Sequence, residues 1–363
     1  MTYSAVTIAP SLAESLRSTK CEYRQVGNSG LRISVPIFGC AGFGDPSGIR
    51  PWVLDEEEAV CLLKAAYDRG INTWDTANVY SNGVSEAIVG KTLKRYGIPR
   101  EKVILMTKCF YAVGEDQDVQ HALMPVENSK DYQNMFGLSR AAIFNAVEAS
   151  LRRLDTPYID VLQIHRFDPL VPVEETLQAL NDLVRSGKVR YIGASSMWAC
   201  QFARMQHTAE SRGWTMFISM QNCYNLLYRE EEREMIRYCN DTGVGLIPWS
   251  PLCNGCLTRL PSSAGRALSK REEFESKFGG SLGHLEPDLA IRARVAEVAE
   301  KRGWPMSHVA LAWISKRVTS PIVGFTKMEQ VEDTLEAKGK TLTKEEEDYL
   351  EELYRPKAVY GHQ

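Results

Sequence analysis

Tyr158-Ile159-Asp160-Val161-Leu162-Gln163-Ile164-His165 is an apolar run that ends on a histidine. An amphipathic stretch from Val173 to Arg185 follows, and then a second apolar run, Val189-Arg190-Tyr191-Ile192-Gly193-Ala194. Strand, helix and strand in that order make a βαβ unit, whose strands lie parallel and whose crossover is right-handed. The same alternation continues in both directions. Toward the N-terminus the strands are Val35–Gly39, Ile71–Asp75 and Val103–Lys108. Their helices run from Asp55 to Arg69, Val84 to Tyr96 and Ser139 to Leu154, the first two closed by Gly70 and Gly97 at C-cap positions. Toward the C-terminus come a helix at Ala199–Arg212, a strand at Met216–Gln221, a helix at Arg229–Asn240 and a strand at Gly245–Trp249. Helices at Asp288–Lys301 and Met306–Lys316, a strand at Thr319–Val323 and a helix at Lys327–Ala337 complete the series.

Eight strand–helix units predict a parallel sheet, and eight is the number that closes a barrel; a doubly wound open sheet is the structural alternative. Tyr23–Ser34 reads as a hairpin turning at Asn28-Ser29-Gly30, placed to plug the barrel's N-terminal mouth. No linker rich in Pro, Gly or Ser divides the units. The expected architecture is a single α/β (β/α)8 TIM barrel over residues 21–354, with an N-terminal β-hairpin and an extra C-terminal helix. Residues 1–20 read as a flexible tail and 355–363 as a second tail.

Composition narrows the function. The 363 residues carry a formal net charge of −3, with 44% hydrophobic and 25% charged residues. That balance argues against disorder and against nucleic-acid binding driven by bulk charge. The apolar runs are too short to cross a bilayer, so no membrane partner is expected. Residues 1–20 lack the apolar core of a secretory signal. Nine scattered cysteines suit reduced thiols in the cytoplasm better than a disulfide framework.

In such a barrel, catalytic groups sit at the C-terminal ends of the strands. Those ends offer Asp75 with Tyr80 just beyond it, Lys108, and His165. Period-two alternation puts Met106 and Lys108 on one face, and Val161, Gln163 and His165 on one face of the next strand. A free tyrosine is a weak acid at neutral pH. A nearby ammonium stabilises its phenolate, and a carboxylate holds the ammonium charged and in place. A neutral histidine beside them would orient a carbonyl. The quartet is equipment for protonating an oxygen as hydride arrives at its carbon, a contribution of about 10²–10⁴ in rate.

Several segments together carry a family resemblance. They are Asn72-Thr73-Trp74-Asp75-Thr76-Ala77-Asn78-Val79-Tyr80, Thr107-Lys108, Ile159–His165, Gly187–Ser195, Gln221–Asn225 and Pro248-Trp249-Ser250-Pro251-Leu252. In order and at this spacing, the chain resembles the aldo-keto reductase superfamily from Tyr23 to Leu335. Its ending, through Leu353-Tyr354-Arg355-Pro356 to His362, is similar to the fungal-type branch near versiconal hemiacetal acetate reductase-like and aryl-alcohol dehydrogenase-like enzymes. The resemblance implies NADPH/NADP+ as cofactor and a small-molecule carbonyl substrate from aromatic or polyketide-derived secondary metabolism. It implies Tyr80 as general acid, Lys108 and Asp75 as its tuning pair, and His165 as the orienting residue. It places Ser195, Ser196 and Gln221 on the nicotinamide amide, Trp249 on its ring, and Ser250 and Leu252 along the pyrophosphate. Ser196 stands where the family usually has Asn. Gly324, Thr326, Lys327 and Gln330 would hold the adenine end, with Lys327 as the cation favouring NADPH. Phe43, Trp52, Phe110, Arg166 and Phe167 are candidate walls of the substrate pocket, with Tyr111, Met124 and Phe136 on the long Phe110–Leu138 connection.

Two alternatives have other chemistry. One is a non-catalytic NADPH-sensing protein like the potassium-channel β subunits of this fold. The other is a Schiff-base lyase using Lys108 as nucleophile. No metal site is read, because Cys253-Asn254-Gly255-Cys256 lacks a second pair at zinc spacing. Glu230–Glu234 and Lys344–Glu352 read as solvated helix faces. Oligomeric state and reaction direction are not legible.

Overall fold

Ile159–Ile164 is buried at every position, as befits a strand with helices outside it and a filled barrel inside. In a computed structural model, which describes residues 8–117, 119, 121, 124–260, 270, 271, 273 and 283–362, ten strands follow the chain. A hairpin of β1 (Glu22–Gln25) and β2 (Arg32–Val35) precedes β3 (Ile37–Gly39), β4 (Thr73–Asp75), β5 (Ile104–Cys109) and β6 (Ile159–Ile164). After them come β7 (Val189–Ser195), β8 (Phe217–Gln221), β9 (Gly245–Leu246) and β10 (Ile322–Gly324). Strands β3 to β10 form one parallel eight-stranded sheet in the order β10-β3-β4-β5-β6-β7-β8-β9. Between β9 and β10 the seam is closed by single bonds, from Thr319 N to Leu246 O and from Ile322 N to Pro248 O, both 2.9 Å. The fold is the (β/α)8 barrel expected.

The surrounding helices start where the sequence caps them. α1 (Pro10–Ser18) lies in the stretch read as a tail and buries no side chain. Asp55 accepts from Glu58 N to start α2 (Glu56–Asp68), and α3 spans Val84–Arg95. Ser139 accepts from Ala142 N to start α4 (Arg140–Leu154). α5 (Val173–Arg185), α6 (Ala199–Ser211) and α7 (Met235–Thr242) follow β6, β7 and β8. α8 (Glu286–Arg302) and α9 (Met306–Ser315) lie between β9 and β10, and α10 (Met328–Glu336) follows β10. α11 (Lys344–Glu351), opened by a Thr343/Glu346 capping box, is the extra C-terminal helix.

The barrel interior is layered. Val26, Leu31 and Ile33 of the hairpin region pack with Ile37, Met106, Val161, Ile247 and Ile322 in one apolar cluster. The hairpin therefore plugs the barrel bottom. Gly27, in the left-handed region, permits this: a Cβ there would meet the Gly243 carbonyl oxygen at 2.2 Å. Met106 pairs with Val161 across β5 and β6, and Lys108 pairs with Gln163 two residues further on. The same inward face thus changes from apolar to polar on rising toward the C-terminal mouth.

Several elements differ from expectation, β3 and β4 each starting two residues later, at Ile37 and Thr73. β9 stops at Leu246, because Pro248 has no N–H to extend the ladder. β10 starts at Ile322, since the N–H groups of Thr319 and Ser320 both turn to Leu246 O. Arg229–Asn240 is not one helix: Glu230–Glu232 forms a 3-10 turn, and α7 starts at Met235. Glu230 and Glu231 are buried rather than solvated, and Glu347 of α11 is buried in ion pairs with Lys316 and Arg317.

Candidate active site

The polar layer is built on Asp75, the last residue of β4, and Lys108 of β5. Lys108 is fully buried, and its ammonium has three hydrogens and three acceptors: Asp75 Oδ1 at 2.5 Å, Thr76 O at 2.9 Å and Tyr80 Oη at 3.3 Å. Burial alone would pull the lysine pKa down, but Asp75 and Tyr80 outweigh it and hold the ammonium above its ordinary value. The other Asp75 oxygen accepts from Gln163 Nε2 and Gln221 Nε2, each at 2.9 Å. Gln221 Nε2 also donates to Gln163 Oε1 at 2.7 Å.

Tyr80 is aimed by the turn that follows it. Ser81 and Asn82 are both left-handed, with φ of 45° and 52°. Ser81 Oγ donates to Phe43 O at 2.7 Å. Asn82 Nδ2 donates to Asp116 O at 2.6 Å, and Asn82 Oδ1 accepts from Gly114 N at 2.7 Å. Since Tyr80 accepts from Lys108, its own hydroxyl hydrogen is left to point into the cavity.

His165 follows β6. Its ring stands edge-on to Tyr80 at 5.9 Å and to Tyr111 at 5.4 Å. Burial first, then the charges of Arg166 and Lys108, push its pKa well below the ordinary histidine value, so the ring is neutral. Its Nδ1 is buried and has no hydrogen-bond partner among the described residues.

A cavity of about 920 Å³ opens above this layer, near the top of the roughly 300–1,000 Å³ range of ligand sites. Asp75, Tyr80 and His165 line it, together with Ser195, Gln221, Trp249, Ser250 and Leu252. It reaches Gly324, Thr326 and Gln330 beyond β10. Residues named from separate sequence segments are therefore brought to one trough. Ser196 lies beside the trough instead: its N–H donates to Asn222 Oδ1 at 2.7 Å, and its hydroxyl accepts from Trp249 Nε1 at 3.2 Å. Lys327, exposed at the start of α10, is not on the cavity wall.

Of the five candidate substrate walls, Trp52 and Arg166 line the cavity. Phe43 is fully buried against Phe38, and Phe167 is in the apolar core. Phe110 packs edge-on to Tyr111 away from the wall. Each of these three satisfies its ring in the protein instead of presenting it to a ligand. Tyr111 and Phe136 sandwich His121, at 5.5 and 5.0 Å, and Met124 is exposed.

Sequence reasoning missed the C-terminal segment. Lys357 Nζ pairs with Asp288 inside the protein, and Lys357 N donates to Glu230 at 2.9 Å. Tyr360 N donates to Tyr228 Oη at 2.8 Å, and its ring lies 5.7 Å from that of Trp249. His362 sits 3.0 Å from Glu231 and 3.5 Å from Asn222. Residues 357–362 thus back the Trp249–Ser196 wall. The buried acids of the Glu230–Glu234 run are its anchors, and a charge-run reading gives no signal for that.

Comparison with known proteins agrees with this arrangement. Residues 37–355 match the Aldo/keto reductase family. An aldo-keto reductase of Fusarium vanettenii is 57% identical, over 98% of this chain and 97% of its own. Versiconal hemiacetal acetate reductase of Aspergillus parasiticus is 48% identical, over 93% and 98%. A putative aryl-alcohol dehydrogenase of Schizosaccharomyces pombe is 49% identical, over 93% and 97%. The chain belongs to the aldo/keto reductase family and is an oxidoreductase of that family.

Proposed function

We propose that this protein reduces an aldehyde or ketone to an alcohol with NADPH, Tyr80 supplying the proton. The observation that carries the reading is the Tyr80 hydroxyl, which accepts from a buried ammonium and so keeps its hydrogen for the cavity. The trough suits a nicotinamide cofactor. Among the described residues Gln221 Oε1 accepts no hydrogen bond, which leaves an acceptor for a carboxamide N–H. Trp249 and Tyr360, whose rings lie 5.7 Å apart, both line the trough and offer aromatic faces. Ser195, Gln221 and Trp249 would hold the nicotinamide, with Ser196 positioning Trp249. Ser250, Leu252, Gly324, Thr326, Lys327 and Gln330 would follow the rest of the molecule. When bound, the cofactor supplies the hydride.

The protein's own residues then do three things. Neutral His165 donates to the carbonyl oxygen and fixes its direction. Tyr80 passes its proton to that oxygen as negative charge builds there. Lys108, held by Asp75, stabilises the phenolate that remains. The raised pKa of Lys108 works against a Schiff-base role, which needs a neutral amine. The names of the relatives support an aromatic or polyketide-derived carbonyl in fungal secondary metabolism as substrate. Nine free cysteines suit the reducing cytoplasm.

Tyr80→Phe tests the assignment. Carbonyl reduction should fall about 10²–10⁴-fold, while NADPH binding, read by its fluorescence, should persist. Wild-type turnover in that variant refutes Tyr80 as the acid.

A further inference from the structure

The cavity carries more positive charge at its carbonyl end than the reduction uses. Arg166 lines it directly after His165, and its Nη1 donates to His165 O at 2.6 Å. Arg50, half-buried two residues before Trp52, is not on that wall, though Tyr80 and Arg271 both act on its guanidinium. Among the described residues neither Arg50 nor Arg166 forms an ion pair. Trp52 lies between these groups in sequence and space: it lines the cavity, Arg271 stands 4.6 Å over its ring, and its Nε1 is buried with no partner among the described residues. Among the described residues the acids on the cavity wall are Asp75 and Asp333, and neither pairs with Arg166. Asp75 is spent on Lys108, and Asp333 is held by Ser307 at 2.6 Å at the opposite end, beside α10.

A dinucleotide accounts for part of this charge. Arg271 donates to Asn254 at 2.6 Å, on the segment that follows Leu252, and so suits the cofactor's phosphates. Arg166 is joined to His165 and lines the cavity, as Trp52 does, which places it with the reacting carbonyl. A guanidinium on the cavity wall with no carboxylate partner among the described residues suits an anionic ligand.

We propose that the substrate is a carbonyl compound with a carboxylate next to the reacting carbon, a 2-oxo acid, held by Arg166 with the Trp52 indole N–H as a second donor. The carbonyl carbon gains hydride from the nicotinamide, which is oxidised. The C=O π pair takes the Tyr80 proton, and the product is the 2-hydroxy acid with its carboxylate unchanged. The inference rests on the reductase reading above.

The test compares phenylglyoxylate with its uncharged methyl ester, using NADPH, in wild type, Arg166→Gln and Trp52→Phe. Wild type should favour the acid by about tenfold or more in kcat/KM, and each variant should lower the acid-to-ester ratio by about tenfold. Equal use of acid and ester by wild type, or a ratio unmoved in both variants, overturns the proposal and leaves the reductase reading standing. If the variants instead lose NADPH affinity with the ratio unchanged, Arg166 and Trp52 serve the cofactor and the proposal is wrong. Absence of turnover with either compound and with simple aldehydes sinks the reductase reading itself. Oxamate, a 2-oxo acid mimic that is not reduced, gives a readout without turnover. Calorimetry on the NADP+-loaded protein should show oxamate binding in wild type and its loss in Arg166→Gln; no binding to wild type counts against the carboxylate site.

Discussion

Asp75→Asn removes one charge from the most buried ion pair in the site. The side chain of Lys108 is 0% exposed and that of Asp75 2%, so water cannot replace the lost carboxylate. The new amide also has no good orientation. With its oxygen toward Lys108, its NH2 faces the donating Nε2 groups of Gln163 and Gln221; turned round, the NH2 faces the ammonium. Breaking a buried pair in this way costs about 3–5 kcal/mol. With an unfolding entropy of about 2.1 cal/mol/K per residue near 60 °C, 363 residues give a fall in Tm of about 4–7 °C. Urea and thermal unfolding followed by circular dichroism measure it. The double variant Asp75→Asn/Lys108→Met should be more stable than Asp75→Asn alone, because it leaves no uncompensated cation. A loss below about 1 kcal/mol, or a double variant less stable than the single one, refutes the view that charge compensation holds this layer together.

Lys327→Ala should weaken NADPH more than NADH, measured by titration of each; an equal effect on both removes Lys327 from the 2′-phosphate. His165 has a folded pKa below its unfolded value near 6.5, so the unfolded chain takes up the proton first as pH falls. Its contribution is complete above that value and lost below it. Tm of wild type should therefore fall more steeply than that of His165→Gln between pH 7 and about 5.5, and parallel curves would contradict the neutral imidazole. Lys357→Met strands the buried Asp288 carboxylate; it should speed limited proteolysis after α11 and raise the NADPH Kd severalfold, and an unchanged digestion pattern would argue against anchoring.

The barrel was legible because its signals are local and repeated. Val173–Arg185 is helical at the very residues its amphipathic pattern marks, and the alternation of Met106 and Lys108 along one strand face carries the change from apolar to polar layer. The strand-end rule likewise brought Asp75, Lys108 and His165 forward, and the structure puts Asp75, Tyr80 and His165 on one cavity wall with Lys108 buried beneath it, bonded to Asp75 and Tyr80. What was not legible depends on contacts distant in sequence. Gln163 was read as facing inward, but nothing local says that it shares Asp75 with Gln221, 58 residues away. Phe43, Phe110 and Phe167 sit near strand ends, yet an aromatic ring there has equal reason to enter the core. Glu230 and Glu231 look like solvent-facing acids until Tyr354, Lys357 and His362 arrive beside them.

That last arrangement sets an order of assembly. Residues 357–362 leave the ribosome after all ten strands, yet they brace the Trp249 wall. The barrel core can close around a chain whose cofactor trough still lacks one buttress. The Trp249 wall of the trough is therefore complete only with residues 357–362 docked, and their release would loosen that wall without opening the barrel.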